Sequence, residues 1–181
     1  MTAPQAAVPD PTSAAPAPAV PTSAAPAPAS GHQLAQVNVG RTVAPLDSPE
    51  LAGFMDQLAE INALAERSPG FVWRLVDDTG ADATGLHPDP DDGLLQINCS
   101  VWQSVEALRE YVYRSDHLRV LARRREWFQR PDGAHQAMWW VPAGHRPSVA
   151  EAMARIALIR DHGPGPEAFT FREPHPAPDA R

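Results

Sequence analysis

Residues 11–19 and 21–29 are the same string, Pro-Thr-Ser-Ala-Ala-Pro-Ala-Pro-Ala, a tandem repeat with a ten-residue period. Its only apolar side chains beyond Ala and Pro are isolated valines such as Val20. Such a segment cannot bury enough surface to offset the entropy of ordering it. Residues 1–31 are therefore predicted to be a disordered, polyproline-like leader, and any fold must be built from residue 32 onward. The 21 prolines lie mostly at the two ends, which leaves the interior free for regular elements. A chain of 181 residues then has room for one domain of ordinary size and not for two.

Order is predicted to begin at His32. Ala35, Val37 and Val39 alternate with Gln36 and Asn38, the period of two that marks a strand. Ser48-Pro49 caps a helix that carries Phe54, Leu58, Ile61 and Leu64 at helical spacing and stops at Ser68-Pro69-Gly70. Phe71 to Val76 reads as a second strand and Leu94 to Trp102 as its return, joined by a long polar loop. Ser104 opens a second helix that kinks near Ser115-Asp116 and runs on to Phe128, and His135 to Val141 is a fourth strand. The order β-α-β-β-α-β is the ferredoxin-like arrangement, an α+β fold. Beyond it, Ser148 to Glu151 reads as a capping box for an extra C-terminal helix, and Ala168 to Phe171 as a short last strand. The domain is thus predicted over 32–172, with a loose tail over 173–181.

Charge and cysteine content narrow the function classes. The net charge of -7 argues against nucleic-acid binding, which draws on a surplus of positive charge. All fifteen basic residues are arginine, a bias that fits a GC-rich genome. The single cysteine, Cys99, excludes an internal disulfide and fits a reducing cytoplasm. No run approaches the roughly eighteen apolar residues of a membrane span, and no signal peptide is evident, so neither a membrane nor export is expected. The histidines show no metal-ligand spacing.

Two short patterns carry the chemistry. Gln36-Val37-Asn38 on the first strand and Gln96-Ile97-Asn98 on the third should place four amides on one face of the sheet, with Val37, Ile97 and Cys99 on the other. The two strands are expected to be central parallel neighbours, and the polar face to be either solvated or the floor of a ligand cavity. On the second helix, His117, Leu121, Arg124 and Phe128 fall at steps of four, three and four, so one imidazole and one guanidinium share a face. An imidazole there is a candidate base near neutral pH, and the guanidinium a candidate anion holder. Trp73, Trp127 and Trp140, with Tyr113, are candidates to line a pocket for a flat aromatic ligand. Cys99 reads as an inert buried thiol.

His32-Gln-Leu-Ala-Gln-Val-Asn38, Ser68-Pro-Gly-Phe-Val-Trp-Arg74, Tyr113-Arg-Ser-Asp-His117, Arg123-Arg-Arg-Glu-Trp-Phe128 and Met138-Trp-Trp-Val-Pro-Ala-Gly-His145 together resemble a bacterial family catalogued as domain of unknown function 3291. That family is similar in fold to the dimeric α/β barrels, which include antibiotic-biosynthesis monooxygenases and haem-using enzymes. The resemblance implies a homodimer whose sheets meet face to face, with a cavity between sheet and helices in each subunit. It implies fold much more firmly than function. The leading expectation is a cofactor-independent monooxygenase, or a related isomerase or cyclase, acting on an aromatic or polyketide-like small molecule. His117 would remove a proton, Arg124 and Asn38 would stabilise the anion, and Gln36, Gln96, Asn98, Tyr113 and the tryptophans would hold the ring. The alternatives are a haem enzyme with His117 as axial ligand, and a non-catalytic dimer that binds a small ligand.

Overall fold

The structure, a computed structural model, describes residues 31–115 and 117–178; the Pro/Ala leader lies outside them. Strand β1 (His32–Arg41) is followed by a 3-10 turn (Pro49–Leu51) and helix α1 (Ala52–Arg67). Strands β2 (Phe71–Arg74) and β3 (Leu95–Trp102) come next, then helices α2 (Val105–Arg114) and α3 (His117–Trp127). Strand β4 (Gln136–Pro142) and helix α4 (Val149–His162) complete the named elements. The sheet order is β2-β3-β1-β4 with every pairing antiparallel. This is the ferredoxin-like α+β fold, with α4 added.

The expected parallel pairing of the first and third strands is corrected: β1 and β3 run antiparallel. The helix α1 returns the chain so that β2 runs as β1 does, and the hairpin then reverses β3. The expected sharing of faces survives, because direct cross-strand partners lie on the same side of the sheet. Gln36 faces Ser100, Asn38 faces Asn98 and Gly40 faces Gln96.

Each face has its own core. Val37, Val39, Ile97, Cys99, Val101, Trp139 and Val141 pack against Ala152, Ile156 and Ile159 of α4. Leu34, Trp102 and Met138 point the other way, toward Ala65 of α1, Val105 and Leu108 of α2, and Phe169. Helix α4 thus packs on the β4 and β1 part of this face. Burial on this face pushes the Cys99 thiol up to about 12, with the Glu151 charge adding to it, as expected of an unreactive cysteine.

Several boundaries differ from the sequence reading for identifiable reasons. The long second helix is two helices, because Ser115 adopts an extended conformation, accepts the His117 N–H at 3.1 Å and donates its hydroxyl to the Tyr111 carbonyl. The capping box at α4 is one-sided: Ser148 accepts the Glu151 N–H, while the Glu151 carboxylate takes the Trp139 indole N–H at 2.9 Å and meets His145 Nε2 at 2.7 Å. Within the tail expected to be loose over 173–181, the His175 carbonyl accepts the Trp140 indole N–H and Ala177 is buried, while 179–181 lie outside the described residues. The short last strand reduces to isolated bridges: Phe169 to Met138, closed by two backbone bonds of 2.8 Å, Ala168 to Gly165 and Thr170 to Glu173.

These contacts set two expectations for stability. Gly70 sits at φ 81°, and a Cβ there would lie 2.6 Å from the Ala107 Cβ, so Gly70→Ala is expected to lower the urea-unfolding free energy by about 2 kcal/mol or more. Burial raises the Glu151 carboxyl, but the hydrogen bonds from His145 and Trp139 outweigh it and hold the group below its usual value. The stabilisation from Glu151 is thus complete above the ordinary carboxylate range and is lost as pH falls through the lower folded value. Glu151→Ala, which leaves the Trp139 indole N–H unpaired, should cost about 1–3 kcal/mol at neutral pH. In thermal melts the gap to wild type should close as the solution is acidified.

Candidate functional site

A cavity of about 530 Å³ lies between the amide-bearing face of the sheet and helices α1, α2 and α3. Its apolar walls include Phe54, Trp127, Phe128, Phe169 and Phe171. Gly40 makes room for one of them: a Cβ there would stand 2.7 Å from Phe128 Cδ1. Phe54 meets Phe128 edge-on at 5.2 Å and Trp127 at 6.0 Å, so α1 and α3 are joined through aromatic rings at this end.

A second, smaller hollow of about 60 Å³, the inner lobe, shares Gln36, Asn38, Asn62, Arg74, Asn98 and His117 with the lining of the first and adds Ser100 and Tyr111. Its polar groups are ordered by their neighbours. Gln36 donates its amide N–H to Asn98 Oδ1 at 3.1 Å and to Ser100 Oγ at 2.9 Å. Ser100 Oγ also accepts the Trp102 indole N–H at 2.8 Å. Tyr111 stacks on Trp102 at 5.0 Å, and the His117 ring lies 4.7 Å from Tyr111.

Burial pushes the His117 imidazole below its ordinary value, and a backbone contact with Val112 offsets this only in part. The ring is neutral at pH 7, and its Nδ1 is buried without a hydrogen-bond partner. A neutral imidazole carries one lone pair, so the group is a base rather than a cation here.

Eight of the ten residues singled out from the sequence line this cavity: Gln36, Asn38, Gln96, Asn98, Tyr113, His117, Arg124 and Trp127. Two do not. Trp73 pairs with Val101 and packs against the core on the far side of the sheet. Trp140 points toward the helices but is covered by Phe169 and the His175 carbonyl, and takes no part in the lining. Gln96 donates to the Gly93 carbonyl and leaves its own buried Oε1 unpaired. Sequence reasoning missed Asn62 and Arg74 in the inner lobe. The available signal for Arg74 was strand parity, since it follows Trp73 and must point to the opposite face.

Nothing around His117 marks it as a haem ligand. His117 Nδ1 is buried against protein, so only Nε2 could reach a ligand of any kind, and the polar groups around the ring are amides, a guanidinium and Tyr111. The inner lobe is too small for a porphyrin, which only the larger cavity with its aromatic walls could take.

The family model described as Domain of unknown function (DUF3291) matches residues 33–181. The chain belongs to this family. No curated protein matches it. Among solved structures, SnoaB, a cofactor-independent oxygenase from Streptomyces nogalater, is 18% identical, with 63% of this chain and 95% of that one covered and a TM-score of 0.42. NE2512, a protein of unknown function from Nitrosomonas europaea, is 13% identical over 65% of this chain and 97% of its own, with a TM-score of 0.40. The ActVA-Orf6 monooxygenase of Streptomyces coelicolor, in complex with Nanaomycin D, is 17% identical over 64% and 93%, with a TM-score of 0.36. At these values the likeness concerns the path of the chain and not its chemistry. Among the described residues of this DUF3291 member, no helix is long and apolar enough to cross a membrane.

Proposed function

We propose that this protein is a cytoplasmic tailoring enzyme that deprotonates an enolisable or phenolic aromatic small molecule, most simply as a cofactor-independent monooxygenase. The observation that carries the reading is a neutral, half-buried His117 at the wall of an aromatic-lined cavity floored by amides. His117 takes a proton from the substrate, and the electron pair left behind spreads into the substrate oxygen as an enolate or phenolate. Asn38 and one guanidinium of the cavity stabilise that oxyanion, and Trp127, Phe54 and Phe128 hold the ring. The anion is electron-rich enough to reduce O2 directly. Oxygen adds at the deprotonated carbon as a peroxide, which loses water to leave a carbonyl. One CH2 and one O2 thus become one C=O and one H2O. Without oxygen, the same anion is the intermediate of an isomerase or cyclase.

Anthrone, a tricyclic enolisable ketone, is a suitable probe. The wild-type chain should consume one O2 per anthrone oxidised, faster than buffer, and release the quinone. The rate should rise with pH through a value below that of a free imidazole and stay level above it, because the lowered His117 supplies the basic form early. A ligand that binds and leaves unchanged at every pH would make the chain a binding module instead.

A further inference from the structure

Two guanidinium groups line the cavity, and they are not equivalent. Arg124 lines only the main chamber and has no ion-pair partner among the described residues. It lies seven residues along α3 from His117, about 10 Å of helix axis. Arg74 lines both the main chamber and the inner lobe, which it shares with His117, Asn38, Asn62 and Asn98. Its Nε–H is held by Glu66 Oε1 at 2.8 Å, and the pair is asymmetric in exposure, with Arg74 at 17% and Glu66 at 47%. The other edge of the guanidinium, with its two Nη groups, has no bond among the described residues. Glu66 therefore fixes the direction of the side chain from outside the lobe and leaves the fork that pairs with oxyanions unspent.

Charge in the lining points the same way. Asp82 is the one carboxylate among the lining residues, and its Oδ1 is occupied by the Thr84 N–H and hydroxyl. Against it stand Arg74 and Arg124, so the cavity lining is net positive in a chain whose net charge is -7. In the inner lobe itself the one formal charge is Arg74, beside a neutral imidazole and amides.

We infer that Arg74 is a catalytic residue of this cavity: the substrate oxygen that gains negative charge sits in the inner lobe on the free edge of Arg74, flanked by Asn38 and Asn98, with His117 as the proton acceptor. Arg124 is left to the far end of the ligand, and Glu66 is a positioning residue. This rests on the deprotonation proposed above, and adds which group receives the charge.

The test reads anion stabilisation without turnover. The probe is 4-nitro-1-naphthol, a two-ring phenol whose anion is coloured, titrated on the full-length chain with 1-nitronaphthalene as the uncharged control. Wild-type protein should lower the apparent pKa of the bound phenol by about one unit or more, which is about a tenfold preference for the anion. Arg74→Gln should abolish the shift while 1-nitronaphthalene binds as before, and Arg74→Lys should retain part of it. Glu66→Gln should reduce the shift, and Arg124→Gln should keep it. A full shift in Arg74→Gln together with its loss in Arg124→Gln overturns the assignment and leaves the deprotonation reading intact. A wild-type chain that binds the phenol with no shift also overturns the oxyanion subsite, whereas the deprotonation reading itself is judged separately by proton exchange. Thermal melts of Arg74→Gln and Arg74→Lys establish that a lost shift is not lost folding.

Discussion

Truncating Trp102 to alanine should remove about 3–5 kcal/mol of stability, the cost of deleting a large aromatic side chain from a closed core. Trp102 has no exposed surface, meets Phe71 edge-on at 5.3 Å, stacks on Tyr111 at 5.0 Å and donates its indole N–H to Ser100. Against a domain stability of about 5–15 kcal/mol this is a large share. Urea unfolding of the full-length chain measures it directly, and a loss below about 1 kcal/mol would mean that the packing is misread. Trp102→Phe keeps the ring but leaves the Ser100 hydroxyl with the Gln36 amide alone, so it should cost clearly less. The substitution matters beyond stability. Tyr111, which rests on Trp102, is also the ring against which His117 lies, so a loosened Trp102 frees the proposed base.

Replacing His117 with alanine should lower the rate on a deprotonated substrate by about 10²–10⁴-fold, the usual worth of a positioned general base. His117→Gln keeps polarity and much of the volume but cannot take a proton, and should be equally slow. The fold should tolerate both, because the imidazole's Nδ1 has no partner to lose. Its own titration gives a second check. A base whose folded value is lowered by burial is destabilising once protonated, so wild-type stability should fall as pH drops below the ordinary imidazole range, and His117→Ala should show less of that loss. If both variants turn over anthrone at the wild-type rate, His117 has no catalytic role.

Much of this was legible in the chain because period-two alternation reports which side chains share a face. Gln36, Asn38, Gln96 and Asn98 were placed together by parity alone, and they do lie on one side of β1 and β3. Parity is blind to strand direction, which is why the same pattern was compatible with a parallel pairing that the hairpin between β2 and β3 rules out. Helical spacing likewise brought His117, Arg124 and Phe128 to one wall, although Ser115 cuts the predicted helix in two. What could not be read was long-range cover. Trp73 and Trp140 are aromatic in the right elements, but one packs against the core on the far side of the sheet and the other lies under the C-terminal segment. The same gap hid Arg74, whose place beside His117 is set by the register of an edge strand with an irregularity between Phe71 and Trp73. It also hid the packing of α4 on the β4 and β1 part of the sheet's other face.

Proton abstraction inside the cavity is isolated most cleanly by following hydrogen–deuterium exchange at the anthrone methylene in D2O under argon by NMR, where oxygen plays no part. Wild-type protein should accelerate exchange by about 100-fold or more over buffer, and His117→Ala should return it to the buffer rate. Exchange at the buffer rate with wild-type protein, or acceleration that survives the loss of His117, would contradict the assignment of this cavity as a site of base catalysis.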